Sequence, residues 1–127
     1  MLVRKDWLTR TIKQLAQFIA AAMGLAAVGK REEAVAMLRN SCGSLLGLDY
    51  GVLVMLDPKS AVDLLGETSR ALIFVRLVEA MAKIEEPVRA EVRLRHGIEL
   101  LEEILRRTPG QVEAAELRAS LLARLAA

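Results

Sequence analysis

Few residues in this chain have side chains whose type and spacing could do chemistry. His96 is the only histidine, and Glu99 follows it three positions later, so on a helix the two occupy neighbouring faces. A His–Glu pair can move a proton or hold a metal, but both tasks need a further ligand or a nucleophile, and the sequence offers neither nearby. Glu99, Glu102 and Glu103 invite comparison with carboxylate-bridged di-metal bundles. Those sites require a Glu-x-x-His motif on each of two helices; the order here is reversed and there is no second histidine. The glutamates are therefore expected to form a solvated face paired with Arg95, Arg106 and Arg107.

Other chemistries fail on similar grounds. Cys42 is the sole cysteine, which rules out an intrachain disulfide and a cysteine metal cluster and fits a reducing, cytoplasmic setting. Its apolar helical surroundings point to core packing. Met23-Gly24 and Gly29 lack the preceding strand of a phosphate loop, and no serine sits in a nucleophile elbow. Arg89, Arg93, Arg95 and Arg106 are interleaved with Glu86, Glu91, Glu99 and Glu102 and have no aromatic residues among them, which argues against nucleic acid. The chain is expected to be no enzyme and to carry no cofactor or metal.

What remains is surface. Hydrophobic residues make up 54% of the 127, aromatic residues only 3%, and net charge is +2 against 27% charged residues. The aliphatic and alanine content suits closely packed helices, and one domain spanning residues 1–127 is expected. The apolar share exceeds the roughly 45–50% usual in globular chains, so some of it is expected near the surface, covered by a partner or a second copy. Trp7, Leu8, Phe18 and Phe74 are the candidate interface residues, Trp7 standing out as the only tryptophan. Arg4, Lys5, Arg10 and Lys13 face only Asp6 in the first turns and could meet an acidic partner or lipid headgroups.

The elements that must position these residues read as helices joined by short turns. Asp6 is placed to cap the first helix. Leu8, Ile12, Leu15, Ile19 and Met23 form a stripe along it, opposite Arg10, Lys13, Gln14 and Gln17, an amphipathic pattern that a secretory leader does not need. Gly29 ends that helix near Val28, and a second runs on with Ala34, Val35, Leu38, Cys42 and Leu45 inward, giving an antiparallel hairpin. Tyr50 to Leu56 is expected to be a short buried helix, and Asp57-Pro58 a cap and first helical residue leading to a helix that stops at Gly66. A longer helix spans Glu67 to Ile84. Pro87 restarts the chain into a helix reaching Arg107, and Pro109-Gly110 precedes a last one, Val112 to Leu125. No uncharged run reaches the ~18 residues of a membrane span. The fold class is all-α: antiparallel hairpins in a compact bundle of about five main helices plus short segments.

Phe18, Ala21-Ala22, Leu25, Gly29, Ala34 and Leu38 fall at the spacing of a tetratricopeptide repeat, so residues 15–48 resemble one such hairpin. Ser41 stands where that repeat has alanine, and Leu46 where it closes with proline. Gly97, Leu101, Ile104 and Pro109 resemble the second half of another repeat, over 97–109. Asp6-Trp7-Leu8-Thr9-Arg10-Thr11-Ile12 with Leu15, then Leu46-Gly47-Leu48-Asp49 and Leu64-Leu65, is similar to a family of uncharacterised bacterial cytoplasmic proteins of TPR-like build and unknown function. The resemblance implies a TPR-like fold. Together with the absent chemistry, the expectation is a non-enzymatic protein–protein interaction or scaffold module, self-associating as a homodimer. The rival expectations are a carrier of a small apolar ligand or lipid, and a protein that docks on membrane surfaces through its first helix.

Overall fold

A computed structural model describes residues 2–127, with side chains from Lys5 onward; the Arg4 side chain lies outside the described residues. Seven helices and no strand are found among them: α1 (Leu2–Ala27), α2 (Arg31–Leu46), α3 (Tyr50–Met55), α4 (Pro58–Leu65), α5 (Thr68–Ile84), α6 (Pro87–Arg107) and α7 (Val112–Ala126). The chain is all-α, a compact helical bundle, as its composition and periodicity predict.

Local signals set most of the boundaries. At the α1–α2 turn Gly29 adopts φ 82°, open to glycine but strained for other residues. The turn closes with Lys30 N–H donating to Leu25 O at 2.9 Å and Gly29 N–H to Ala26 O at 3.1 Å, the paired bonds that satisfy the last carbonyls of a helix. Asp49 and Asp57 cap α3 and α4, accepting from Val52 N–H at 3.0 Å and Ser60 N–H at 3.1 Å. Pro58 and Pro87 lie in the first turns of α4 and α6, where a missing N–H leaves nothing unpaired. Asp6 departs from expectation: α1 begins at Leu2, which places Asp6 inside the helix, and it is its backbone carbonyl that accepts, from Arg10 Nε at 3.4 Å. The Leu, Arg and Lys before it favour the helix enough to extend it past the capping signal.

The helices form three antiparallel partnerships, α1 with α2, α5 with α6 and α6 with α7. α5 is the axis, eleven of its 17 residues being buried, because α1, α2, α4 and α6 pack around it and leave only a strip through Ser69, Arg76 and Lys83 toward solvent. Contacts at opposite ends fix the directions. Arg31 of α2 lies 3.8 Å from Glu86, just past α5, while Leu46 O, at the other end of α2, accepts from Arg70 in the first turn of α5. So α2 opposes α5, and α1, α5 and α7 all run the same way.

Extensive contact between α2 and α6 is missing, and the gap is filled by the short α3–α4 segment, which packs on α2, α5 and α6. Tyr50 is its wedge. Its ring, 2% exposed, lies 5.7 Å from that of Phe74, with the guanidinium of Arg39 from α2 at 5.8 Å and that of Arg93 from α6 at 5.7 Å. Arg70 stitches the segment down, donating from Nη2 to Leu46 O at 2.6 Å and from Nε to Leu65 O at 2.8 Å, so one cation holds the carbonyl ends of both α2 and α4. Arg107 closes the far end, reaching Asp63 at 2.7 Å and Lys59 O at 3.1 Å.

Candidate functional site

With α3 and α4 filling one side of the stack, the other side stays open. There α1, α5 and the start of α7 run side by side and enclose a groove of about 590 Å³. Leu8, Ile12, Leu15 and Ile19 form the α1 wall and Leu72 and Ile73 the floor. Leu15, Leu72 and Ile73 are buried, Leu8 and Ile19 half-buried, and Ile12 is 51% exposed. The stripe that the sequence displays along α1 is thus a groove wall as much as a core face. Its position follows from helical spacing, since residues 8, 12, 15 and 19 share one side of α1.

The far edge is polar. Arg76 of α5 donates to Glu113 Oε2 from Nη2 at 2.8 Å and from Nε at 3.1 Å, tying α7 to α5 across 37 positions of sequence. Ser69 and Gln111 complete this edge, and Gln111 also caps α7 by accepting from Glu113 N–H at 3.1 Å. An apolar floor with a polar rim suits a helix laid lengthwise, apolar face down. Glu113 is the one acidic side chain lining the groove and is tied to Arg76, and no group of three or more His, Cys, Asp or Glu side chains that could hold a metal ion occurs among the described residues.

The expected interface residues separate in space. Leu8 lies in the groove. Trp7 and Phe18 are half-buried on the flank of α1 that faces α2, Trp7 with Thr11, Ser44 and Leu45, Phe18 with Met37 and Ser44. Phe74 departs from expectation: it is fully buried beside Tyr50, because it lies on the side of α5 opposite the Ser69–Arg76 strip. Ser69, Arg76, Gln111 and Glu113 escaped the sequence reading. A faint signal for two of them existed: Ser69 and Arg76 are seven apart, on one face of a largely apolar helix.

The residues considered for chemistry settle into structural roles. His96 is half-buried on α6, and its Nε2 is buried with no hydrogen-bond partner among the described residues. Burial lowers its proton affinity below the ordinary value, with Glu99 opposing and Arg93 reinforcing the shift, so the ring is neutral near pH 7. Glu103 pairs with Arg106 and Arg107 as expected, whereas Glu102 pairs instead with Arg118 of α7 and Arg95 with Glu91. The two arginines hold the Glu103 carboxyl down at about 2. Arg93 is bound to the largely buried Glu85 at 2.8 Å. Cys42 is fully buried, and burial pushes its thiol up to about 12, beyond useful nucleophilicity.

A second hollow, about 790 Å³, opens between the α1–α2 and α5–α6 turns. Lys30, Arg31 and Arg89 share it with Glu32, Glu33, Glu85 and Glu86. Three cations nearly balance four carboxylates and most of these side chains are exposed, which makes it a solvated notch. The smaller apolar groove is the better docking surface.

No helix among the described residues is long and apolar enough to cross a membrane. Compared with protein-family models, with curated proteins and with solved structures, the chain matches none.

Proposed function

We propose that this chain is a non-enzymatic protein–protein interaction module of TPR-like build, whose groove between α1, α5 and α7 receives an amphipathic helix. The single observation that carries the reading is the groove: an apolar floor and wall, with Ile12 half-exposed, along three parallel helices. Stacking of the α1–α2 hairpin on the α5–α6 hairpin, with α7 following, supports the TPR-like part, since such stacks leave one set of parallel helices lining an open side. A protonated, inaccessible thiol at Cys42 accords with a cytoplasmic setting.

A photoreactive benzoylphenylalanine placed at Ile12 and, in a separate variant, at Met55 tests this. Met55 is 86% exposed on α3, away from the groove. The expected outcome is a defined protein adduct in cells from position 12 and none from position 55. Equal adducts from both positions, or none from position 12, would remove the groove as a docking site.

A further inference from the structure

α3 and α4 are fastened to one stripe of α6. At one end of the stripe Arg93 lies over the Tyr50 ring of α3 at 5.7 Å; at the other Arg107 reaches Asp63 of α4 at 2.7 Å and Lys59 O at 3.1 Å. Residues 93, 96, 100, 103 and 107 share this side of the helix, so His96 lies between the two fastenings. α5 and α7 meet α6 on another side, where Gly97 faces Val78 and Leu121. The Nε2 of His96 is buried and bonded to nothing among the described residues. Charged groups near the stripe are engaged elsewhere or exposed. α3 offers only Tyr50; on α4 Asp63 is paired with Arg107 and Lys59 is exposed, while Asp57 at the cap accepts from Ser60. On α6 itself Glu103 is held by Arg106 and Arg107, and Arg93 by Glu85. Glu99, one turn on and exposed, draws a proton toward the ring, but burial outweighs it and Arg93 adds to the burial effect.

We propose that His96 is an acid-sensitive latch beneath α3 and α4: when its ring takes up a second proton, this segment loosens from α6. An imidazolium carries a donor on each ring nitrogen, and the one on Nε2 has no acceptor here, so the charge is costly while the segment is closed. Opening lets the ring reach water, and protons therefore bind the open form more tightly. The closed ring has a proton affinity below the ordinary 6.5, so the closed form loses stability as pH falls through 6.5 and goes on losing it until the closed ring itself is protonated. α3 and α4 are six and eight residues long, too short to persist as isolated helices, which makes them the part that yields. Few other side chains titrate in this window. Carboxylates ordinarily do so near pH ~4, and burial pushes the single cysteine and the single tyrosine up to about 12. Opening uncovers the inner face of α3, where Tyr50 and Leu53 are otherwise buried.

Two measurements on the whole chain test this. Because the chain has one histidine, the imidazole Cε1–H signal in a proton NMR titration reports His96 alone, and its midpoint is expected below 6.5. Amide hydrogen exchange, corrected for its intrinsic pH dependence, is expected to be at least about three-fold faster at about pH 5 than at about pH 7 across residues 50–65, since a midpoint half a unit low is worth a factor of about three. Exchange in α5 is expected to stay the same. His96→Gln and His96→Leu, neutral throughout, are each expected to abolish the difference. A wild-type midpoint at 6.5 or above would overturn the proposal, because the closed ring would then bear its charge at no cost. Equal acceleration in α5 would overturn it by making the response one of the whole bundle, and a response that persists in either folded variant would assign it to another group. Should neither variant fold, the wild-type midpoint and the contrast between residues 50–65 and α5 still decide.

Discussion

The two sides of the helix stack begin from the same problem and end differently. Where α2 and α6 diverge, the chain supplies its own filler: α3 and α4 enter the gap, Tyr50 wedges among α2, α5 and α6, and Arg70 and Arg107 fasten the ends. Where α1, α5 and α7 run side by side, no segment enters, and Ile12 stays half-exposed above buried Leu72 and Ile73. Burial on the first side is completed by folding; on the second, if the groove docks a helix as proposed, it is completed by association.

That contrast can be broken most severely from the filled side. Leu53 of α3 is fully buried, and Leu53→Ala is expected to cost about 2–5 kcal/mol in urea unfolding, the range for a deleted core leucine. The same variant is expected to speed alkylation of Cys42, whose thiol burial has pushed up to about 12 and which is inert while the seal holds. Arg70→Ala removes both donors to Leu46 O and Leu65 O and is expected to cost about 2 kcal/mol, as for hydrogen bonds made by a charged group. Lysine, which lacks the planar fork that reaches both carbonyls, is not expected to restore it. Smallest is the open side: measured in dilute solution at a single protein concentration, Ile12→Ser is expected to change unfolding free energy by no more than about 0.5 kcal/mol. A loss there as large as that of Leu53→Ala would mean that the groove wall belongs to the core and that the contrast is false.

Much of the filled side was legible in the sequence, and the open side was not. Pro58, Pro87, Gly29 and Gly66 act on the backbone within a few residues, so they mark turns wherever the chain later goes. The caps at Asp49 and Asp57 are equally local. The groove depends on α1, α5 and α7 becoming parallel neighbours, a relation fixed only when the chain has turned back on itself, and its edge pairs residues 37 positions apart. Phe74 failed for a related reason. Periodicity identifies the apolar side of a helix but not how many neighbours enclose it, and four helices pack around α5.

Gly97 of α6 gives the groove a mechanical property. A methyl group there would come within 2.9 Å of Leu121 Cδ1, so the absence of a side chain is what lets Leu121 settle against α6. α7 is seated on α6 at this point and joined to α5 through Arg76 and Glu113, while four helices pack around α5. The wall that carries Glu113 therefore hangs on the least surrounded long helix near the groove, and its amides should exchange with solvent before those of α5 do. With α6 packed along only one side of it and ion pairs at Glu113 and Arg118, α7 is the wall whose position has the most freedom to shift, while α1 and α5 stay fixed by their other neighbours.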